Sequence, residues 1–177
     1  MPTLHFDEEA ELYAHKAWQT LKLELPVDLN IVAGRLGIEI HREEFVEEID
    51  GLYLRLVDGP AVIALNSSYT KPESRRRFTL AHEIGHHLLG RRVSPGRRLF
   101  FLDTAATGRT MMERACNRFA ALLLMPEHLV RRHYDELAAN PTNRVAIMAE
   151  RFGVSAWAMR RRIRELGLPV VRRGRRF

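Results

Sequence analysis

The sequence predicts an α+β fold: a small antiparallel sheet packed on a helix bearing a His-Glu-x-x-His motif, followed by a mostly helical C-terminal part. Three observations carry this. Residues 38–66 contain three short β-like runs, "IEIHREEF", "GLYLRLV" and "PAVIALN", separated by turn residues. Residues 73–90 are helical in pattern and hold the stretch "FTLAHEIGHHLLG". Beyond about residue 110, helical periodicity alternates with capping and stop signals.

In chain order, residues 7–22 place Leu12, Ala14, Trp18 and Leu21 near helical spacing, and "PVDLNIVAGRLG" reads as a short second helix ended by Gly37. Asp58-Gly59, between the last two β-like runs, is a hairpin signal. Pro60 lacks an amide hydrogen for the ladder, so it should open its strand or lie on an edge. Thr70, Pro72 and Glu73 read as a capping box with proline in the first turn, starting a helix that runs to about Gly90. Residues 91–109, with Pro95, Gly96 and Gly108, read as a connecting loop. A helix from about 110 to 124 follows, with Met112, Ala115, Phe119 and Leu122 or Leu123 as its core face, closed by Met125-Pro126. In "NPTNRVAIMAERFGVSAWAMRRRIRELG", Asn140 caps a helix with Pro141 in its first turn, Gly153 ends it and Ser155 caps the next.

Composition narrows the class. A chain with 46% hydrophobic and 28% charged residues is not disordered, and no apolar run approaches the roughly 18–20 residues that a membrane span requires. The N-terminus turns acidic at once and does not read as a secretory signal, and the single cysteine, Cys116, agrees with a reducing compartment, so a cytoplasmic protein is expected. Any metal must then sit mainly on His, Asp or Glu. The net charge of +6 comes largely from arginine clusters, including residues 75–77, 160–162 and the terminal "VVRRGRRF". Such a field permits acidic partners, nucleic acid included, without requiring them.

His82 and His86 are four residues apart, so on a helix their imidazoles share one face and can reach a single zinc ion. Glu83 lies just round the helix, where it can take a proton from a metal-activated water without occupying a coordination position. The bland reading, surface histidines in a chain with eight of them, is opposed by context: two unpaired imidazoles in an apolar helix would be costly to bury. His87 projects about 100° away and is expected to be solvated or to support a ligand. The metzincin pattern is excluded, because Leu89 and Arg92 stand where its glycine and third histidine would be. Candidates for a third ligand are Asp103, Glu113, Cys116, His128 and His133. Glu113 ranks first because it opens "ERACNRFA" on the next helix, with Asn117 one turn on, able to accept a hydrogen bond from a ligand histidine. A solvent-facing helix carrying Glu113, Arg114 and Arg118 is the alternative. For the tetrahedral oxyanion, Tyr53, Tyr69, His128, His133 and the arginines of residues 91–98 are all open, and a substrate strand is expected on the edge of the 52–65 hairpin.

Taken together and in order, "VIALN", "RRRFTLAHEIGHHLLG" and "ERACNRFAALLLMP" resemble the ImmA/IrrE metallopeptidases over roughly residues 25–130. Cys116 departs from the alanine usual in that pattern. The resemblance implies a zincin-like fold and a gluzincin-like site in which His82, His86 and Glu113 hold zinc, or manganese, and Glu83 activates water. It also implies a cytoplasmic peptidase that cleaves a helix-turn-helix repressor and so relieves repression after a stress signal. The resulting division is a metallopeptidase domain, 1–137, and a helix-turn-helix-like appendage with a basic tail, 138–177.

The competing reading is a DNA-binding or partner-binding regulator with an inactive metal site. Against DNA readout, the candidate recognition helix begins Ala156, Trp157, Ala158, Met159, which offer almost no hydrogen-bonding reach to base edges. Those apolar side chains suggest packing, and Arg160 to Arg162 suggest contact with phosphates or with an acidic protein surface. An appendage that docks substrate or completes the fold is preferred.

Overall fold

The computed structural model describes residues 5–170 except 47, 58, 69, 94–97 and 105–109, with backbone only at 92, 93, 103 and 104. The order is α1 (Phe6–Leu21), α2 (Leu29–Arg35), β1 (Ile38–Glu43), β2 (Ile49–Arg55), β3 (Ala61–Asn66), α3 (Glu73–Val93), β4 (Leu99–Thr104), α4 (Met111–Leu124), α5 (Glu127–Glu136), α6 (Arg144–Phe152) and α7 (Ala156–Glu165). The fold is α+β, as the sequence predicts.

The sheet has the order β1-β3-β2-β4. β2 pairs antiparallel with both β3 and β4, but β1 runs parallel to β3, from Ile38 opposite Ala61 to Glu43 opposite Asn66, so the sheet is mixed rather than wholly antiparallel. Pro60 immediately precedes β3, which is how a central strand accommodates it. Asp58 lies outside the described residues. The fourth strand corrects the reading of 91–109 as a loop: α3 continues to Val93, and "LFFLDT" forms β4 on the outer side of β2. Both strands of the 52–65 hairpin are therefore flanked, β3 by β1 and β2 by β4, and neither can accept a substrate strand. The edges are β1 and β4.

One face of the sheet packs on α3. Tyr53, Ile63 and Leu65 meet Ala81, Ile84 and Leu89 of α3, and Phe119 and Leu123 of α4 extend the same buried cluster. Met148 and Phe152 of α6 and Met159 and Ile163 of α7 belong to it too. Arg77 of α3 joins these layers, donating to the carbonyls of Gly153 (3.1 Å) and Val27 (2.7 Å).

Two polar pins fix the approach to α3. Asn66, fully buried at the end of β3, donates from its amide to the carbonyls of Ile49 (2.7 Å) and Val46 (3.2 Å) and accepts from the Ser68 amide (3.0 Å). Asp50 on β2 is buried against Lys71 (2.8 Å) and accepts from Nε and Nη2 of the Arg75 guanidinium. The helix itself starts at Glu73, directly after Pro72, while Thr70 turns its hydroxyl to that of Ser68 (2.9 Å) instead of capping.

The end of the chain forms the predicted helix, turn and helix. Gly153 takes φ +63°, the left-handed conformation that suits glycine at a helix C-terminus, and the Ser155 hydroxyl accepts from the Ala158 amide. α6 begins later than expected, at Arg144, and Asn140 and Pro141 lie before it. Trp157 corrects the expectation of packing: it is 68% exposed, whereas Met159 is fully buried.

Candidate metal centre

α3 carries His82, Glu83 and His86 inward, and all three are buried. α4 can lie close beside it because of Gly85. A Cβ built there would stand 3.1 Å from Cys116 Cα and 3.3 Å from a Phe119 ring carbon, so the glycine inside "HEIGHH" is where the two helices approach. Thr110 caps α4, its hydroxyl accepting from the Glu113 amide at 3.1 Å, which fixes the turn bearing Glu113.

The consequence is a convergence of three side chains. His82 Nε2 and His86 Nε2 are 3.0 Å apart, and the two Glu113 oxygens lie 3.1 Å from the first and 3.3 Å from the second. Burial raises the Glu113 carboxyl, but hydrogen bonds from His82 and His86 outweigh it and hold its pKa at about 2. His82 Nδ1 is 3.1 Å from Asn117 Oδ1, which can only accept, so this nitrogen carries a proton, and a metal would take the Nε2 lone pair in place of the bond from Nε2 to Glu113. Two imidazole nitrogens and a carboxylate brought together in this way are the N,N,O donor set of catalytic zinc. Among the described residues, these three form a group whose ligand atoms all lie within 4.8 Å of one another. The residues fit the metal.

Residues 33–164 match the family model of the IrrE N-terminal-like domain, a peptidase family. The chain belongs to the IrrE N-terminal-like peptidase family. It is 39% identical over 99 residues to the radiation response metalloprotease IrrE of Deinococcus radiodurans, covering 54% of this chain and 28% of that protein. Against the protein of the same name from Deinococcus deserti it is 37% identical over 128 residues, 69% of this chain and 41% of the relative. The chain thus spans less than half the length of these two curated relatives.

The other candidates from the sequence fall elsewhere in this IrrE-like chain. Cys116 is fully buried on α4 under Gly85 and is not in the three-residue group. His128 meets the edge of the Trp18 ring at 6.0 Å, and His133 lies 2.8 Å from Glu136 and 3.0 Å from Arg151. Both line a separate groove with Leu23, Pro26 and Leu129. Tyr69 lies outside the described residues, as does the side chain of Asp103.

His87 is not solvated. It is 5% exposed, its Nδ1 is 3.0 Å from the Tyr53 hydroxyl, and burial with nearby Arg91 and Arg55 lowers its pKa to about 4. Tyr53 is itself fully buried, with burial pushing its pKa up to about 12, and its hydroxyl faces His87. Sequence reasoning missed Phe101 of β4, whose ring stacks on His86 with centroids 4.2 Å apart and planes at 14°. Tyr53 stacks on the same ring at 6.3 Å. The signal was present in the apolar run "LFFLDT", hidden by the glycine and proline before it.

Proposed function

We propose that this chain is a zinc-dependent endopeptidase acting on a protein substrate, with His82, His86 and Glu113 as metal ligands, Glu83 as general base and Asn117 orienting His82. The observation that carries the proposal is the convergence of two histidine nitrogens and one carboxylate within 3.3 Å, on the helix that also buries Glu83. When bound, zinc supplies Lewis-acid polarisation of the scissile carbonyl and acidifies water; manganese would occupy the same donor set with the same role. Glu83 accepts the proton of the attacking water and returns it to the leaving amine nitrogen. Asn117 holds the His82 tautomer with Nε2 as the ligating atom.

β4 is the edge strand that approaches the centre, since Phe101 touches His86. An extended substrate strand added to β4 would lie beside the metal ligands, which the 52–65 hairpin cannot achieve. The resemblance to ImmA/IrrE peptidases supports a helix-turn-helix repressor as substrate and a cytoplasmic setting, and relatives named for radiation response support a stress-linked role. No described helix is long and apolar enough to cross a membrane. In this reading residues 1–137 do the chemistry and 138–177 form a helical appendage whose α6 and α7 complete the core.

The helix-turn-helix of α6 and α7 favours a second reading, DNA binding. Its reading positions argue against base recognition, because Ala156, Trp157 and Ala158 lead α7, Arg161 is paired with Glu165 (2.9 Å) and Arg162 is buried against the Met125 carbonyl (3.0 Å). Binding to one duplex sequence that survives added salt would restore that reading.

The test of the peptidase is Glu83→Gln in the zinc-loaded chain, incubated with a candidate repressor. The variant should keep metal and fold and lose cleavage. Cleavage at the normal rate would remove Glu83 as the base.

A further inference from the structure

A groove of about 510 Å³ opens between α4 and α7, floored by Phe78 of α3 and bordered by Asp7 of α1. It adjoins the metal centre through Asn117. Asn117, which touches His82, lines it; Arg114, the residue after the ligand Glu113, lines it; and Phe78 lies one helical turn before His82. At the far side stands Trp157, 68% exposed, with the Arg161 guanidinium 5.9 Å from its ring centroid.

The Trp157 indole, at the start of α7, lines the groove outside the core that Met159 and Ile163 enter, and offers a broad apolar face to a bound side chain. The lining charge is unbalanced. Arg114, Arg118, Arg161 and Arg162 line the groove against Asp7 and Glu165 only. Arg161 and Arg162 lean on Glu165, and Arg118 pairs with Glu11 from outside the groove, whereas Arg114 has no ion-pair partner among the described residues. Arg114 is exposed and follows Glu113 directly in α4.

The geometry points to this groove as the docking site for the substrate polypeptide to one side of the scissile bond, selecting a segment that carries acidic side chains and a large apolar one. A carboxylate pairs with Arg114, and the apolar side chain covers Trp157, Leu122 and Phe78. The inference rests on the peptidase reading and adds to it a substrate class, an acidic amphipathic segment, and gives α7 a task in recognition.

Binding and cleavage separate the two claims. The Glu83→Gln chain is titrated with a fluorescein-labelled peptide alternating glutamate and leucine, and with its counterpart carrying lysine for glutamate, by fluorescence anisotropy. The acidic peptide should bind about tenfold more tightly, as close charge pairing across an interface allows. Arg114→Glu should reverse that preference, and Trp157→Ala should weaken both peptides with an unchanged circular dichroism spectrum. Equal affinity for the two peptides, no binding of either, or a preference unmoved by Arg114→Glu overturns the groove. Zinc-loaded wild-type protein is then given a mixed peptide pool. Hydrolysis without the groove effects keeps the peptidase and removes the docking site; charge-selective binding without any hydrolysis keeps the docking site and removes the peptidase.

Discussion

Phe101 lies flat against the imidazole of His86, ring on ring at 4.2 Å. The contact links the sheet edge to a proposed metal ligand, and it sets the plane in which His86 presents Nε2. Replacing Phe101 with leucine keeps apolar volume but removes the flat face. Zinc affinity of Phe101→Leu, measured by competition with a chelator, should fall by roughly tenfold, the lower end of what loss of a supporting contact costs a metal site. Unchanged affinity would mean that packing elsewhere orients His86.

Asn117 acts on the other proposed ligand, His82. Its carbonyl oxygen takes the His82 Nδ1 proton at 3.1 Å. Asn117→Ala should lower zinc affinity by roughly 10–100-fold, while Asn117→Asp, which still accepts, should retain most of it. Equal losses in the two variants would point to general disruption of α4 instead.

Gly85 tests the helix crossing. Alanine at an interior helix position gains about 1 kcal/mol over glycine, but here its methyl would press on Cys116 Cα at 3.1 Å, a backbone atom that cannot swing aside. Overpacking costs about 1–3 kcal/mol and should win. Urea denaturation should show Gly85→Ala less stable than wild type and Gly85→Leu far less so. A more stable Gly85→Ala would show that α3 and α4 can part without cost.

Acid sensitivity should trace to Asp50. Burial raises its carboxyl, but hydrogen bonds and charge from Arg75 and Lys71 outweigh burial, so the folded pKa lies below the ordinary value of 3.8. A depressed acid stabilises the folded state fully above its unfolded pKa, and the contribution is lost as pH falls through the folded value. Asp50→Asn should cost about 3 kcal/mol at pH 7, because Lys71 is left buried without its carboxylate. Its urea midpoint should then fall less steeply than that of the wild type below about pH 4. Parallel acid limbs would assign the sensitivity to other carboxylates.

The chemistry of this site was more legible in the sequence than its setting. Helical spacing alone places His82 and His86 together, and Glu113 with Asn117 one turn on identifies the facing helix, because side chains on helices obey a fixed period. Strand pairing follows no such local rule. That β1 runs parallel to β3 depends on β2 taking the other side of β3, which nothing in "IEIHREEF" encodes. β4 was hidden because Pro95 and Gly96 weigh toward a loop, although "LFFLDT" has the length and residue types of a strand. The solvated alternative for His87 fails for a related reason: one residue's rotation from His86 leads to solvent only when no sheet covers that side, and Tyr53 covers it.

The central claim is that His82, His86 and Glu113 jointly hold one catalytic metal. Zinc content per chain after purification and dialysis, measured by mass spectrometry of the metal, tests it most directly. The account predicts about one zinc per chain in the wild type and almost none in the His82→Ala/His86→Ala double variant, with Glu113→Ala strongly depleted. Full zinc occupancy in the double variant, or in Glu113→Ala, would contradict it.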